Sequence, residues 1–279
     1  MLRLRVASAA VLIPVLIGAL LVGEPLLSLL IAAVVGLAGW ETAALLRSAG
    51  LAAQRELVIG LGLAWVALAW WRPADDRATV LLLAAAMIVP AVVSLARPDP
   101  REGFQAWAAT AFGGLYVGLL AFLVRVALDA PAIPAGAPAA GLLDAGRVWL
   151  LGLVVTVWSF DTFAYVVGRT YGRGHFLAHI SPSKTWSGVV GGTLGAVIVG
   201  SLCAWATGQG PLLGVVLGLL VAVAAQTGDV AESMLKRAAV VKDSGHLIPG
   251  HGGMLDRVDS FLFAGPAMYL FLVFIVPRA

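Results

Sequence analysis

The chain has 279 residues, of which 61% are hydrophobic and only 12% are charged, and its formal net charge is +3. Soluble globular proteins carry about 25% charged residues, so this composition excludes a soluble fold and predicts an integral membrane protein. The apolar runs are long and unbroken rather than alternating, which favours helical spans over the strands of a barrel.

The hydropathy pattern predicts an all-α, polytopic membrane protein with about nine transmembrane helices. They are expected near residues 6–22, 26–46, 57–71, 79–95, 106–128, 148–168, 188–207, 211–227 and 260–276. The basic start and first apolar run resemble a signal peptide, but no clear cleavage site follows. We therefore expect this segment to remain as the first helix.

The basic residues predict the orientation of the spans. With the N-terminus inside, 13 of the 18 Lys and Arg residues lie on the cytoplasmic side. The other five are Arg72, Arg77, Arg125, Arg147 and Arg278. This bias favours an N-in, C-out topology. Because the basic residues are scattered at helix ends and form no continuous stripe, no nucleic-acid partner is expected.

The chain is expected to divide into two functional regions. Residues 1–147 hold the first spans and a Pro- and Ala-rich outer linker at 129–147, and they are interpreted as a scaffold with room for a lipid groove. Residues 148–279 are interpreted as the catalytic region. In it, glycines recur four residues apart at 188–195 and 214–218. This spacing predicts close helix packing and, as a weaker expectation, a homodimer.

Lysine and histidine are confined to one part of the chain. The three lysines and four histidines are Lys184, Lys236, Lys242, His175, His179, His246 and His251. All of them fall in the two predicted cytoplasmic segments that flank the seventh and eighth spans. In a chain that otherwise uses Arg, a lysine is typical of a position where a compact ammonium meets phosphate. The alternative is chance clustering in the two longest cytoplasmic loops.

The first of these segments contains Ser183, Lys184 and Thr185. The Gly spacing of a P-loop is missing, but hydroxyls beside a lysine suit a polyphosphate. His175 and His179 lie four residues apart without a third ligand in pattern, so a structural or interfacial role is expected for them rather than a metal site.

The second segment continues the eighth span as a polar helix. Helical periodicity places Asp229, Glu232, Ser233 and Lys236 on one face. An acidic face at a membrane boundary predicts a function.

A glycine-rich turn then leads into the last helix. Gly252 and Gly253 precede the helix N-terminus, which is a ready anion site. Asp256 and Asp259 lie in the first turn of that helix. Asp229 and Asp256 together could hold one hard cation such as Mg²⁺, which takes one or two carboxylates plus substrate phosphates. A second cation stays open.

Residues 233–259 resemble the signature of the phosphatidate cytidylyltransferases, also called CDP-diglyceride synthases. The matching pattern is Ser-x-Leu-Lys-Arg-x4-Lys-Asp-x-Gly-x2-Ile-Pro-x-His-Gly-Gly-Met-x-Asp-Arg-Val-Asp. Asp161-x2-Ala-Tyr-x2-Gly, residues 181–186 and residues 228–233 also resemble motifs of this family. One departure is Ser187, where the family usually has an acid, and its role is open.

The resemblance implies a nucleotidyltransferase of the bacterial cytoplasmic membrane. It would transfer a cytidylyl group from CTP to phosphatidic acid, releasing pyrophosphate, with Mg²⁺ as cofactor. Asp229 and Asp256 would be the metal ligands. The catalytic set is Asp229, Lys242, Asp243, Asp256 and Asp259. The substrate-binding set is Ser183, Lys184, Thr185, Ser233, Lys236, Arg237, His251, Gly252, Gly253 and Arg257.

Two other functions fit parts of the pattern. A CTP-dependent lipid kinase would use the same nucleotide but attack with a hydroxyl, so a base such as Asp243 would matter more. An ion-coupled transporter would use Asp161 and Glu41 as coupling acids, but it predicts charges near the middle of the bilayer rather than at one face. The sequence does not indicate which acyl chains are preferred, or whether the nucleotide is CTP or dCTP.

Overall fold

The computed structural model describes residues 2–71 and 76–277, and within the first helix it describes the side chains of Ser8 and of residues from Ala10 onward. These residues form ten helices and no β-strand. The helices are α1 (Leu2–Val22), α2 (Leu26–Ser48), α3 (Arg55–Trp71), α4 (Arg77–Ser94), α5 (Pro100–Gly118), α6 (Ala121–Asp129), α7 (Ala145–Tyr171), α8 (Trp186–Ala206), α9 (Pro211–Ala238) and α10 (Leu255–Phe274). The predicted all-α class is confirmed.

Seven helical segments among the described residues are long and apolar enough to cross a membrane. One of them, Pro100–Asp129, combines α5 and α6. The polytopic architecture is therefore confirmed. Helix α3 has 17 residues, and the count of nine spans and the N-in orientation stay predictions. Arg72 and Arg278, which enter the predicted outer charge count, lie outside the described residues.

The chain forms two compact units, and the first comprises Met1–Val124 and Met234–Val258. Its core is the packing of α2, α3 and α5 through small residues. A Cβ atom at Gly113 on α5 would lie 3.0 Å from Val58 on α3 and 3.1 Å from Leu46 on α2. Residues 1–124 and residues 234–258 of the C-terminal signature segment thus belong to the same unit.

The second unit comprises Arg125–Ser233 and Asp259–Ala279. Helices α7 and α8 lie backbone to backbone, because a Cβ atom at Gly188 would be 2.9 Å from the carbonyl oxygen of Ala164. At Gly192 it would be 2.8 Å from the carbonyl oxygen of Phe160. The close helix packing predicted from the glycine spacing is confirmed, whereas the homodimer stays a prediction.

The outer linker is tied to the end of α8. The backbone N–H of Ala139 donates to the carbonyl oxygen of Ala206 at 2.9 Å. The predicted functional division at residue 147 stays a prediction.

Candidate active site

Helix α9 carries the first group of predicted site residues at its polar end. It begins at Pro211, where a missing N–H costs nothing, and runs without a break to Ala238. The hydroxyl of Ser233 lies 3.4 Å from Asp229 Oδ1, four residues earlier. The predicted shared face of these two residues is therefore present.

Lys184 pairs with Asp229 in the second unit. The ammonium of Lys184 contacts Asp229 Oδ2, and the two side chains are 18% and 30% exposed. Two hydrogen bonds fix the backbone of Lys184. Its carbonyl oxygen accepts from Phe176 N–H at 2.8 Å, and its N–H donates to the carbonyl oxygen of Ser181 at 3.2 Å. We call Lys184, Asp229 and Ser233 the Lys184 cluster. Its partial exposure leaves the carboxylate and the ammonium within reach of a ligand.

Residues 185–187 organise the start of α8. Thr185 is the N-cap, and its hydroxyl accepts from Gly188 N–H at 3.1 Å. The Ser187 hydroxyl accepts from Arg173 N–H at 3.2 Å and lies 3.1 Å from the Thr185 hydroxyl. Ser187, the departure from the family signature, therefore fixes the loop before α8. Ser183 is exposed beside it, and phosphate contacts from Ser183 and Thr185 stay predictions.

The two histidines of this segment are exposed. The backbones of His175 and Thr185 form an isolated antiparallel bridge, and the ring of neighbouring Phe176 lies edge-on to Trp186 with centroids 4.6 Å apart. The segment is thus a short folded hairpin, in which His175 contributes backbone pairing. The expected structural role of His179 stays a prediction.

Asp256 is the most heavily bonded carboxylate of the first unit. Its Oδ1 accepts from Lys236 Nζ at 2.6 Å, and the two side chains are only 6% and 11% exposed. Its Oδ2 lies 2.8 Å from Ser244 N–H, from the Ser244 hydroxyl and from Gly253 N–H, all of which donate to it. We call Lys236, Ser244, Gly253 and Asp256 the Lys236 cluster.

The glycine-rich turn is shaped to receive this carboxylate. Gly252 has φ +81°, a conformation that other residues rarely adopt. A Cβ atom there would also lie 2.6 Å from Asp256 Oδ2. In this conformation Gly253 N–H donates to Asp256 rather than facing an open anion site, and substrate binding by Gly252 and Gly253 stays a prediction.

The remaining predicted residues of the first unit are mostly exposed. Lys242, Asp243 and Arg257 are exposed, and so is Arg237, whose guanidinium donates to the carbonyl of Val241 at 3.0 Å. His251 is held instead, with Nδ1 2.6 Å from the hydroxyl of Ser8 on α1. Substrate roles for these side chains stay predictions.

Asp259 lies where α9 and α10 approach most closely in the second unit. A Cβ atom at Gly228 would collide with the carbonyl oxygen of Asp259. The Asp259 carboxylate accepts from Ser260 N–H at 2.6 Å. Gly228 therefore lets the two helices touch directly beside Asp229.

The sequence profile of the Cytidylyltransferase family matches residues 3–275 of this chain. The chain belongs to the cytidylyltransferase family.

Curated relatives carry a more specific name. The chain is 41% identical over 208 residues to phosphatidate cytidylyltransferase 4, chloroplastic, of Arabidopsis thaliana, covering 69% of this chain and 52% of the relative. It is 47% identical over 135 residues to the phosphatidate cytidylyltransferase of Synechocystis, covering 45% of each chain. With that of Bacillus subtilis it shares 41% over 130 residues, covering 46% of this chain and 48% of the relative. The chain thus spans about half the length of the curated relatives it matches.

The donor types of the two clusters include carboxylate oxygens, and the ligands that Mg²⁺ prefers are hard oxygen atoms. Asp229 offers a partly exposed carboxylate, which is the hard oxygen ligand that Mg²⁺ prefers. Asp256 is a weaker candidate in this conformation, because four donors already engage its two oxygens. Within residues 2–71 and 76–277 no three His, Cys, Asp or Glu side chains gather as a metal cage. Oxygen atoms of a bound phosphate group would have to complete the ligand set, and Mg²⁺ coordination by Asp229 and Asp256 stays a prediction.

Ser244 of the Lys236 cluster and its neighbour Glu41 are two residues whose roles were not predicted from the sequence. Ser244 was not among the predicted site residues, although it donates twice to Asp256. Glu41 on α2 was interpreted only as the coupling acid of a transporter, but its carboxylate accepts backbone N–H groups at the start of α10. An acid inside an apolar span was the available signal.

Proposed function

We propose that this chain is a phosphatidate cytidylyltransferase, which converts CTP and phosphatidic acid to CDP-diacylglycerol and pyrophosphate. The support is threefold. The chain belongs to the cytidylyltransferase family, curated relatives with 41% and 47% identity bear this name, and residues 233–259 match the signature throughout.

The observation that carries the proposal is the Lys184 cluster. A lysine and a carboxylate face each other at a predicted cytoplasmic membrane boundary, each partly exposed. The ammonium can move onto a phosphate oxygen, and the carboxylate then becomes available to a cation. The two opposite charges offset each other while no ligand is bound, and each becomes available to a ligand when CTP arrives.

The chemistry requires little beyond positioning and charge. The attacking group is the lipid's own phosphate, so no strong base is needed, and the barrier is repulsion between two anions. When bound, Mg²⁺ would offset phosphate charge. Lys184, Lys236 and Lys242 are the proposed phosphate-binding lysines, and Arg237 and Arg257 are proposed to bind phosphate as well. Asp243, His251 and Asp259 are proposed to position the substrates.

The proposed setting is the cytoplasmic membrane of a bacterium, with both substrates reached from the cytoplasmic face. CTP is a cytoplasmic nucleotide and phosphatidic acid is a bilayer lipid, so a polar face at the boundary of apolar helices suits both. Multi-pass architecture is established by the apolar helices, and the membrane and the orientation belong to the proposal.

The test is one assay of the purified protein in detergent with labelled CTP, phosphatidic acid and Mg²⁺. We expect labelled CDP-diacylglycerol together with pyrophosphate, and no product without Mg²⁺ or without phosphatidic acid. A parallel reaction offers a polyprenol in place of phosphatidic acid. Release of CDP with phosphorylation of the polyprenol would instead establish the lipid kinase and overturn the proposal.

A further inference from the structure

Glu41 is a buried acid in the middle of a hydrogen-bond network at the start of α10. It lies on α2 and is 6% exposed. Its Oε1 accepts from Met254 N–H at 3.0 Å and its Oε2 accepts from Leu255 N–H at 2.7 Å. A helix N-terminus leaves N–H groups without partners, and a carboxylate from another helix satisfies them here.

Two glycines make room for this carboxylate. A Cβ atom at Gly245 would lie 2.6 Å from Glu41 Oε1, and one at Gly253 would lie 2.5 Å from the same oxygen. Neither glycine has a positive φ, so backbone conformation does not require glycine at these positions. Glycine is required there because a side chain would occupy the space of the Glu41 carboxylate.

The Ser244 hydroxyl lies within hydrogen-bond distance of both Glu41 and Asp256, and its single proton donates to one of them at a time. Ser244 Oγ lies 3.0 Å from Glu41 Oε2 and 2.8 Å from Asp256 Oδ2, and it accepts from Asp256 N–H at 3.3 Å. Gly253 N–H, the other neighbour of Glu41, donates to Asp256. The loop groups that orient Asp256 are therefore the groups that rest on Glu41.

We propose that Glu41 is a positioning residue that fixes the orientation of the Asp256 carboxylate through Ser244 and the 244–254 loop. Buried partners of a functional carboxylate set its direction, and losing one costs about 10–100-fold in metal affinity or activity. This role rests on the proposed function, because it assigns Glu41 to the same reaction. It gives the N-terminal helices a direct part in the site.

The first test is amide hydrogen exchange of the purified full-length Glu41→Gln variant. Glutamine keeps the shape but offers an NH₂ group where a second acceptor is needed. We expect faster exchange at Met254 and Leu255, which bond Glu41 directly. We also expect faster exchange at Ser244 and Gly253, which bond Asp256 and not Glu41 through their N–H groups. Faster exchange confined to Met254 and Leu255 would make Glu41 a helix cap only and overturn the proposal, as would no change.

The matched control is Thr42→Val on the same helix. Thr42 is 0% exposed, and its hydroxyl has no hydrogen-bond partner among the described residues. This variant changes a buried polar group of α2 next to Glu41 in sequence without touching the loop. Wild-type exchange at all four amides is expected, and a change there would show that any disturbance of α2 reaches the loop.

The second test is turnover against Mg²⁺ concentration. Glu41→Gln should lower the maximal rate at least about tenfold and raise the Mg²⁺ concentration that gives half the maximal rate. Normal turnover together with altered exchange would overturn the proposal. If the wild-type protein makes no CDP-diacylglycerol, the proposed function fails, and the exchange test still decides whether Glu41 orients Asp256.

If Glu41→Gln does not fold, Gly245→Ala takes its place. The added methyl group would push the Glu41 carboxylate from its donors while leaving the acid in the chain. We expect the same four amides to exchange faster and turnover to fall. A Gly245→Ala protein with wild-type exchange and turnover would overturn the proposal.

Discussion

The ammonium of Lys184 contacts a carboxylate oxygen of Asp229, 45 residues further along the chain. The contact joins the loop before α8 to the polar end of α9. Ion pairs that water reaches, as this one is at 18% and 30% exposure, contribute little to stability, about 0–1 kcal/mol, because water screens them. A pair that adds so little to folding but lies in the segment matching the family is better explained by ligand binding.

Replacing Asp229 by Asn should therefore affect rate far more than stability. We expect Asp229→Asn to lower turnover at least about a hundredfold, because a lost charge removes several kcal/mol from a metal-assisted transition state. The melting temperature should stay close to that of the wild type. Asp76→Asn is the control, since Asp76 is exposed and makes no side-chain cap bond to α4. Near-normal turnover of Asp229→Asn at ordinary Mg²⁺ concentration would remove Asp229 from the site.

Lys184 gives a second test of the same cluster. Lys184→Ala should reduce turnover and raise the KM for CTP, while the amount of protein in the membrane stays unchanged. Lys184→Arg should recover only part of the activity, because a planar guanidinium does not replace a compact ammonium. Arg101→Ala serves as the control for a lost exposed charge. A fully active Lys184→Ala protein would leave Lys184 as a topology determinant.

The sequence predicted most of the helices because lipid imposes a simple rule, although the predicted span 106–128 corresponds to two helices, α5 and α6. Every span must satisfy its backbone internally and present apolar side chains, so hydropathy alone locates it. The glycine spacing at 188 and 192 likewise predicted backbone contact of α8 with α7, which is observed. The candidate site residues near the C-terminus could be predicted because polar residues are rare in an apolar chain.

The support for Asp256 could not be predicted from the sequence. Glu41 and Ser244 lie 203 residues apart, and no local pattern indicates that α2 packs against the segment before α10. Glu41 was visible as an acid in a span, but a buried acid has several explanations until its partners are known. Contacts between residues so far apart in sequence depend on tertiary packing, and no periodic sequence pattern predicts them.

Replacing Asp256 should reduce the stability of the fold, whereas replacing Asp229 should not. Asp256→Asn should lower the free energy of unfolding by about 3–5 kcal/mol as well as the rate, because it removes one partner of a buried ion pair with Lys236. The double variant Lys236→Met with Asp256→Asn should regain part of that stability but no activity. Denaturant unfolding in detergent measures both. A double variant no more stable than Asp256→Asn would show that the pair is not the source of the loss.

The end of α9 contains a strained residue. Val240 has φ +57°, and Val240 and Val241 donate to the carbonyls of Arg237 and Lys236, as in a Schellman motif. Glycine usually occupies this left-handed position, because a β-branched residue there costs about 1–2 kcal/mol. Val240 is 90% exposed, so its side chain packs little.

Val240→Gly should therefore raise the free energy of unfolding by about 1 kcal/mol, as the removed strain exceeds the added freedom of the unfolded chain. Ala238→Gly, at the last residue of α9, is the control and should lower it by about 0.5–1 kcal/mol. A destabilised Val240→Gly protein would show that the valine side chain contributes a contact.

Orientation is the prediction on which the proposed function depends most. CTP is cytoplasmic, so the 239–254 loop must face the cytoplasm and the 130–144 linker must face outward. Ser244 is 7% exposed and would be a poor reporter, whereas Leu247 and Leu142 are 54% and 73% exposed.

In a Cys203→Ser background, Leu142→Cys should react with an impermeant thiol reagent in spheroplasts. Leu247→Cys should react only after the membrane is opened. Labelling of both after opening is the control for accessibility. The reverse pattern would place the lysines away from CTP, and the cytidylyltransferase proposal would have to be abandoned.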